Sequence, residues 1–140
     1  MTNTDIFGVK IPDSRIAREI TQLIRDTESD VLFYHSTRVY FWGALTGKRN
    51  GLAFDPELLY AAAMFHDIGI THGYHESQLR FEVDGANAAR DFLRGHGISE
   101  GDISLACHRP PHDPRHPGTY ASGDLLGAGW SRNGCGGPQL

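Results

Sequence analysis

Between Leu58 and Phe65 the chain is apolar nearly all round a helix, and it runs directly into the pair His66-Asp67. A helix without a polar face cannot lie on a surface; other elements must surround it. Its start is as clearly marked. Asp55 is placed to cap it, Pro56 suits a first turn that needs no amide hydrogen, and Glu57 meets the positive end of the helix dipole. Gly69 is the expected stop. Such a helix calls for a domain assembled from further helices packed around it.

The flanking sequence supplies them. Ser14 can cap a first helix in which Ile16, Ile20, Leu23 and Ile24 share one face, ending near Thr27. Asp30 is the expected cap of a second, running through VLFYHSTRVYFWGAL to Gly47. Leu32, His35, Val39 and Trp42 recur at steps of three and four, which is expected to turn His35 toward the interior. A fourth helix, about Asp84 to Arg94, should bury Ala86, Ala89, Phe92 and Leu93 and stop at Gly95. Ser99 opens a fifth with Ile103, Leu105 and Ala106. The intervening THGYHESQLRFEV is polar and irregular, suited to the rim of a site. No strand pattern competes and no repeat is visible, so the fold class is all-α.

Composition narrows the function classes. A length of 140 residues suits one domain, and 39% hydrophobic with 21% charged residues is ordinary for a globular chain. The net charge of -4 offers no basic footprint for nucleic acid or an anionic membrane. Cys107 and Cys135 form no CxxC pair and are expected to be free thiols in a reducing compartment. MTNTDIFGVKIPDS has no basic start followed by an apolar run, and no segment reaches the roughly 18 apolar residues of a membrane span. A cytoplasmic protein is the expectation, with a small-molecule partner and a homo-oligomer compatible.

The chemistry concentrates at three residues. His66 and Asp67 close the central helix together, and His35 sits on the preceding one. Imidazole nitrogen and carboxylate oxygen suit one divalent ion, Zn foremost, with Fe or Mn as alternatives. Such an ion lowers the pKa of water from about 15.7 toward about 7 and so makes a nucleophile at neutral pH. Taken singly, a buried histidine or a His-Asp pair fits a structural role as well.

Taken together they fall into a longer pattern. The runs YHSTRVYFWG, LLYAAAMFHDIGIT and RFEVDGANAARDFL carry H-S-x-R-V, F-H-D-I-G and F-E-x-D-G-A. Across roughly Asp30 to Gly97 this resembles the HD domain superfamily, and within it the cyanamide-hydratase-like branch. The resemblance implies an all-α bundle with a metal held by His35, His66, Asp67 and a later Asp. It implies hydration or hydrolysis of small molecules, or cleavage of phosphoesters. Asp67 is then both ligand and catalytic candidate. Glu82 is a candidate general acid or base, or a capping residue of the fourth helix. Phe81 and Glu82 stand near where two-metal relatives often carry a His, which favours one metal. His72 and His75 either line a substrate pocket or stand free in solvent. Arg38 either pairs with Asp67 or a substrate anion, or is a surface residue.

After Ala106 the chain departs from the family's pattern. Five of the 7 prolines and seven of the 17 glycines lie there, and Pro110-Pro111 would break the fifth helix. The expected organisation is therefore an HD domain over residues 1–106, incomplete at its C-terminal end, and an irregular tail over 107–140. Asp113 and Asp124 sit among Pro and Gly with no helix to hold them as a last ligand. Codon degeneracy offers an origin. Shifted by one nucleotide from Cys107 onward, the codons permit A-I-A-L-H-T-T-P-G-I-P, and those from Arg132 to Cys135 permit G-M-D-V. Both resemble segments that family members carry after the fourth helix, so the tail is expected to be a frameshifted remnant. A chain without its last ligand is expected to retain metal weakly, or to be a non-catalytic remnant.

Overall fold

The computed structural model describes residues 5–107, and the element order is a short hairpin followed by five α-helices. The expected tail, with Asp113, Asp124 and Cys135, lies outside the described residues. The helices are α1 Arg15–Thr27, α2 Asp30–Arg49, α3 Pro56–Phe65, α4 Phe81–Gly95 and α5 Glu100–Cys107. Two single 3-10 turns, Ile68–Ile70 and His72–Tyr74, bridge α3 to α4. None of the described helices is long and apolar enough to cross a membrane.

The central position of α3 follows from its sequence. All eight residues from Leu58 to Phe65 are buried, and the helix packs against α1, α2, α4 and α5. Asp55 caps it through both Glu57 N and Leu58 N, with Pro56 in the first turn. The surrounding helices each bring a narrow stripe: Ala17, Ile20 and Ile24 from α1, Tyr40 and Ala44 from α2, Ala89 and Leu93 from α4, Ile103 and Ala106 from α5. Burying a side chain such as Leu59 contributes about 1.5–3 kcal/mol. Two tyrosines keep their hydroxyls satisfied inside this core. Tyr40 donates to the Lys10 carbonyl at 2.7 Å, and the Tyr60 hydroxyl meets Thr21 Oγ1 at 2.5 Å.

Several boundaries differ from the sequence reading. Ser29, not Asp30, caps α2, accepting from Leu32 N, and Asp30 begins the helix. The helix also runs past Gly47, which is buried within it, to Arg49. Its left-handed terminator is Gly51, at φ +65, and Gly97, at φ +75, does the same for α4 in place of Gly95. At both ends paired bonds close the motif: Gly51 N to Lys48 O with Leu52 N to Gly47 O, and Gly97 N to Arg94 O with Ile98 N to Leu93 O. The α4 helix starts at Phe81, three residues before its expected start near Asp84. A strand pair is present where none was expected: β1 Asp5–Ile6 and β2 Val9–Lys10, antiparallel around Phe7-Gly8. Lys48 Nζ donates to the Gly8 carbonyl at 2.9 Å and ties this hairpin to the end of α2.

The orientation of α2 is the main correction. Its buried face is Phe33, Ser36, Tyr40, Ala44 and Gly47, one position displaced from the face expected. Leu32 and Val39 are half-buried, Trp42 is 74% exposed, and the His35 side chain is 46% exposed. Spacing shows which residues share a face but not which face turns inward. Here Tyr40 on the buried face meets Tyr60 of α3 edge to face, with ring centroids 5.2 Å apart, while Trp42 is left in solvent.

Candidate metal centre

The site forms where α3 ends. His66 occupies the C-cap of the helix with helical φ and ψ, and Asp67 leaves it at the start of the first 3-10 turn. Their position is set from behind by α4. A Cβ on Gly85 would lie 2.7 Å from the Phe65 carbonyl oxygen and 2.8 Å from that of His66, so only glycine allows α4 to sit this close. Gly69 is pressed in the same way, 2.3 Å from its Cβ position to the Phe81 carbonyl oxygen. The backbone on both sides of His66-Asp67 is thereby held against α4.

His35 reaches the pair from α2. Its Nε2 lies 3.3 Å from Asp67 Oδ2, and His66 Nε2 lies 3.0 Å from the same oxygen. The two imidazole centroids are 5.6 Å apart. One ligand atom from each of His35, His66 and Asp67 falls within 4.8 Å of the others, and no second such group occurs among the described residues.

The donor set fits a divalent cation. His66 Nδ1 is 2.5 Å from the Ala63 carbonyl, which can only accept, so Nδ1 carries a hydrogen. This leaves Nε2 as the nitrogen directed at Asp67, in the arrangement by which a backbone carbonyl orients a metal-binding histidine. With both ring nitrogens facing acceptors, the imidazole is driven toward its charged form. Burial works against that charge, but the bonds to Asp67 and Ala63 outweigh it and raise the His66 pKa. Burial likewise opposes ionisation of Asp67, and the hydrogen bond from His66 outweighs it and lowers the Asp67 pKa. A cation between the two would take the place of the Nε2 proton.

A residue absent from the sequence reading is coupled to this cluster through its charges. Glu28, the C-cap of α1, is only 6% exposed. Ser36 Oγ donates to its Oε2 at 3.4 Å, and Oε1 is buried with no hydrogen-bond partner. Burial pushes its carboxyl up to about 7; His66 opposes this shift and the charge of Asp67 adds to it. One sequence signal was present: an acidic residue closing a helix opposes the dipole there, so its placement calls for another reason.

The remaining candidates lie outside the His35, His66 and Asp67 cluster, with Arg38 beside His35. Arg38 and His35 line one open groove on α2 with Val39 and Trp42, about 320 Å³ in volume. Asp67 makes its bonds to the two histidines, and no pairing with Arg38 is present. Glu82 lies in the first turn of α4 without capping it; Oε1 accepts from Arg80 at 3.0 Å and Oε2 is buried and unpartnered. His72 and His75 are exposed on the second 3-10 turn and stack edge to face at 5.3 Å, with His75 Nδ1 at 2.6 Å from the His72 carbonyl.

Two comparisons with known proteins bear on this arrangement. The family model of the HD domain matches residues 32–121, a span that contains His35, His66 and Asp67 and continues past Ala106. A bifunctional uridylyltransferase/uridylyl-removing enzyme of Thiobacillus denitrificans (strain ATCC 25259 / T1) is 50% identical over 54 residues. That stretch is 38% of this chain and 6% of the relative, so the chain spans a small fraction of the relative's length.

Proposed function

The chain belongs to the HD domain family, and on that premise we propose that it is a metal-dependent hydrolase or hydratase of a small molecule. The observation that carries this reading is the convergence of two imidazole nitrogens on one oxygen of Asp67. When bound there, a divalent ion supplies activated water near neutral pH. Zn is the ion of first choice, with Fe and Mn as alternatives. The residues have separate tasks. His66 is fixed by Ala63, Asp67 joins the two imidazoles, and His35 opens onto the groove with Arg38 and Trp42. Asp67 also orients the attacking water. Glu82 is a candidate proton donor or acceptor, and His72 and His75 are candidate substrate contacts on the rim.

The substrate we favour is a neutral nitrile-like or cyanamide-like carbon, supported by the motif resemblance from Asp30 to Gly97. Phosphoester cleavage is the second reading. It is favoured by Arg38, a cation in the same groove as His35, and by the uridylyl-removing name of the relative. Purified protein supplied with Zn, Fe or Mn separates them when urea formation from cyanamide is measured beside phosphate release from mononucleotides. The proposal requires one of the two activities, lost on chelation and in Asp67→Ala. Less than about a tenth of an equivalent of metal after gentle purification, with neither activity, would leave the non-catalytic reading standing.

A further inference from the structure

The side chain of Glu28 performs no structural task that its position requires. The helix-ending bond at this residue is made by its backbone N–H, which donates to the Ile24 carbonyl at 2.8 Å. Its carboxylate gains one long contact, from Ser36, and no ion pair with Lys or Arg is present at Glu28 among the described residues. Arg25, one turn earlier, lies 4.7 Å over the Phe33 ring. A buried acceptor left unmade costs about 1–3 kcal/mol, more when charged, and the negative end of the α1 dipole adds to that cost. Glutamine or an apolar residue would fill the position with less penalty.

What would offset the cost is positive charge at the neighbouring cluster. Ser36, the donor to Glu28, directly follows His35 on α2, and both His66 and Asp67 act electrostatically on the Glu28 carboxyl. Two neutral imidazoles and one carboxylate around a divalent ion leave one positive charge uncompensated. A second carboxylate brings that sum to zero, the condition under which a partly buried ion is least costly. Oxygen is also a donor acceptable to Zn, Fe and Mn alike.

We infer that Glu28 is a further residue of the cation site, its free carboxylate oxygen serving the hydration shell of the ion held by His35, His66 and Asp67. Glu28 is a positioning and charge-balancing residue, outside the set of ligands. The inference rests on the metal reading proposed above, and it distinguishes this chain from one in which the three residues alone set affinity.

The test uses the whole chain, with Zn²⁺ as the probe, in competition with a chromophoric chelator, and thermal melting of the metal-free protein beside it. Glu28→Gln and Glu28→Leu are compared with His35→Ala. Both Glu28 variants are expected to weaken Zn²⁺ affinity by about 10–100-fold, the usual cost of losing a partner outside the direct ligands. Their metal-free melting temperatures should equal or exceed that of the wild type, because an unpartnered carboxylate has been removed. An affinity within about twofold of wild type overturns the inference while leaving the metal reading intact. So does a lower metal-free melting temperature in both variants, which would make Glu28 a structural residue. Absence of Zn²⁺ binding by the wild type overturns the metal reading itself.

Discussion

His66 and Asp67 on one side and His35 on the other meet at a single carboxylate oxygen, yet they are held in unlike ways. The pair at the end of α3 is fixed by the chain itself: a helix buried on every side leads into it, Gly85 presses α4 against its carbonyls, and Ala63 fixes the His66 ring. His35 stands on the half-exposed side of α2, beside an open groove, with Asp67 as the partner of its Nε2. The first region is built before any ligand arrives. The second is half-exposed and, on the reading proposed above, faces the side from which a substrate would approach. On the metal reading proposed above, the difference would assign affinity chiefly to the His-Asp pair and access chiefly to α2.

Removing the shared oxygen should break this division most severely. Asp67→Ala is expected to lower Zn²⁺ affinity by more than about 100-fold, beyond the usual loss for an outer partner, with a smaller loss for His35→Ala. Chelator competition measures both, and equal losses would show that the two regions contribute alike. Next in size is Gly85→Ala, whose Cβ would meet the Phe65 and His66 carbonyl oxygens. It should destabilise the fold by about 1–3 kcal/mol in denaturant unfolding and weaken Zn²⁺ binding with it; an unchanged midpoint would mean α4 does not brace the pair.

The protonation of the pair gives a smaller, graded effect. With the His66 pKa raised above its ordinary 6.5, its contribution to metal-free stability is present below that value and fades as pH rises through the raised one. Asp67, lowered from 3.8, contributes above that value and loses its contribution as pH falls through the lowered one. Zn²⁺ must displace the His66 proton, so affinity should climb as pH rises past the histidine range; a flat profile from acid to neutral pH would contradict the hydrogen-bond assignment. Glu28 runs the other way from a paired carboxylate. Between its ordinary 4.5 and about 7, metal-free stability should fall as pH rises, and Glu28→Gln should remove that fall. The smallest effect belongs to Trp42→Ala on the groove. At 74% exposure it should shift stability by no more than about 0.5 kcal/mol while raising KM for the true substrate.

What the sequence made legible was whatever depended on near neighbours in the chain. The α3 helix and its Asp55 cap are written within a few positions and the structure places them as read, while the helix stops at Phe65 and Gly69, the expected terminator, lies within the 3-10 turn that follows. The inward face of α2 was not legible. His35 and Ser36 differ by one step, and only packing in the folded chain selects between their faces. The hairpin at Phe7-Gly8 was missed because it lacks the Asn-Gly or Asp-Gly signal that marks a tight turn. Gly47 and Gly51 were equally good terminators by composition, and the paired bonds that decide between them exist only after folding. Glu28 escaped because its meaning lies in burial beneath α2, with no motif of its own.

The N-terminal hairpin carries a consequence for the far end of the molecule. Tyr40 and Lys48, two turns apart on α2, each donate to a hairpin carbonyl, while the Ser29 cap fixes the opposite end of the same helix. The helix behaves as a beam clamped at both supports, so sliding of His35 along its axis is resisted by bonds far from it. Amide exchange along α2 should accelerate in Tyr40→Phe, and metal capture should become less tight without any change to a ligand.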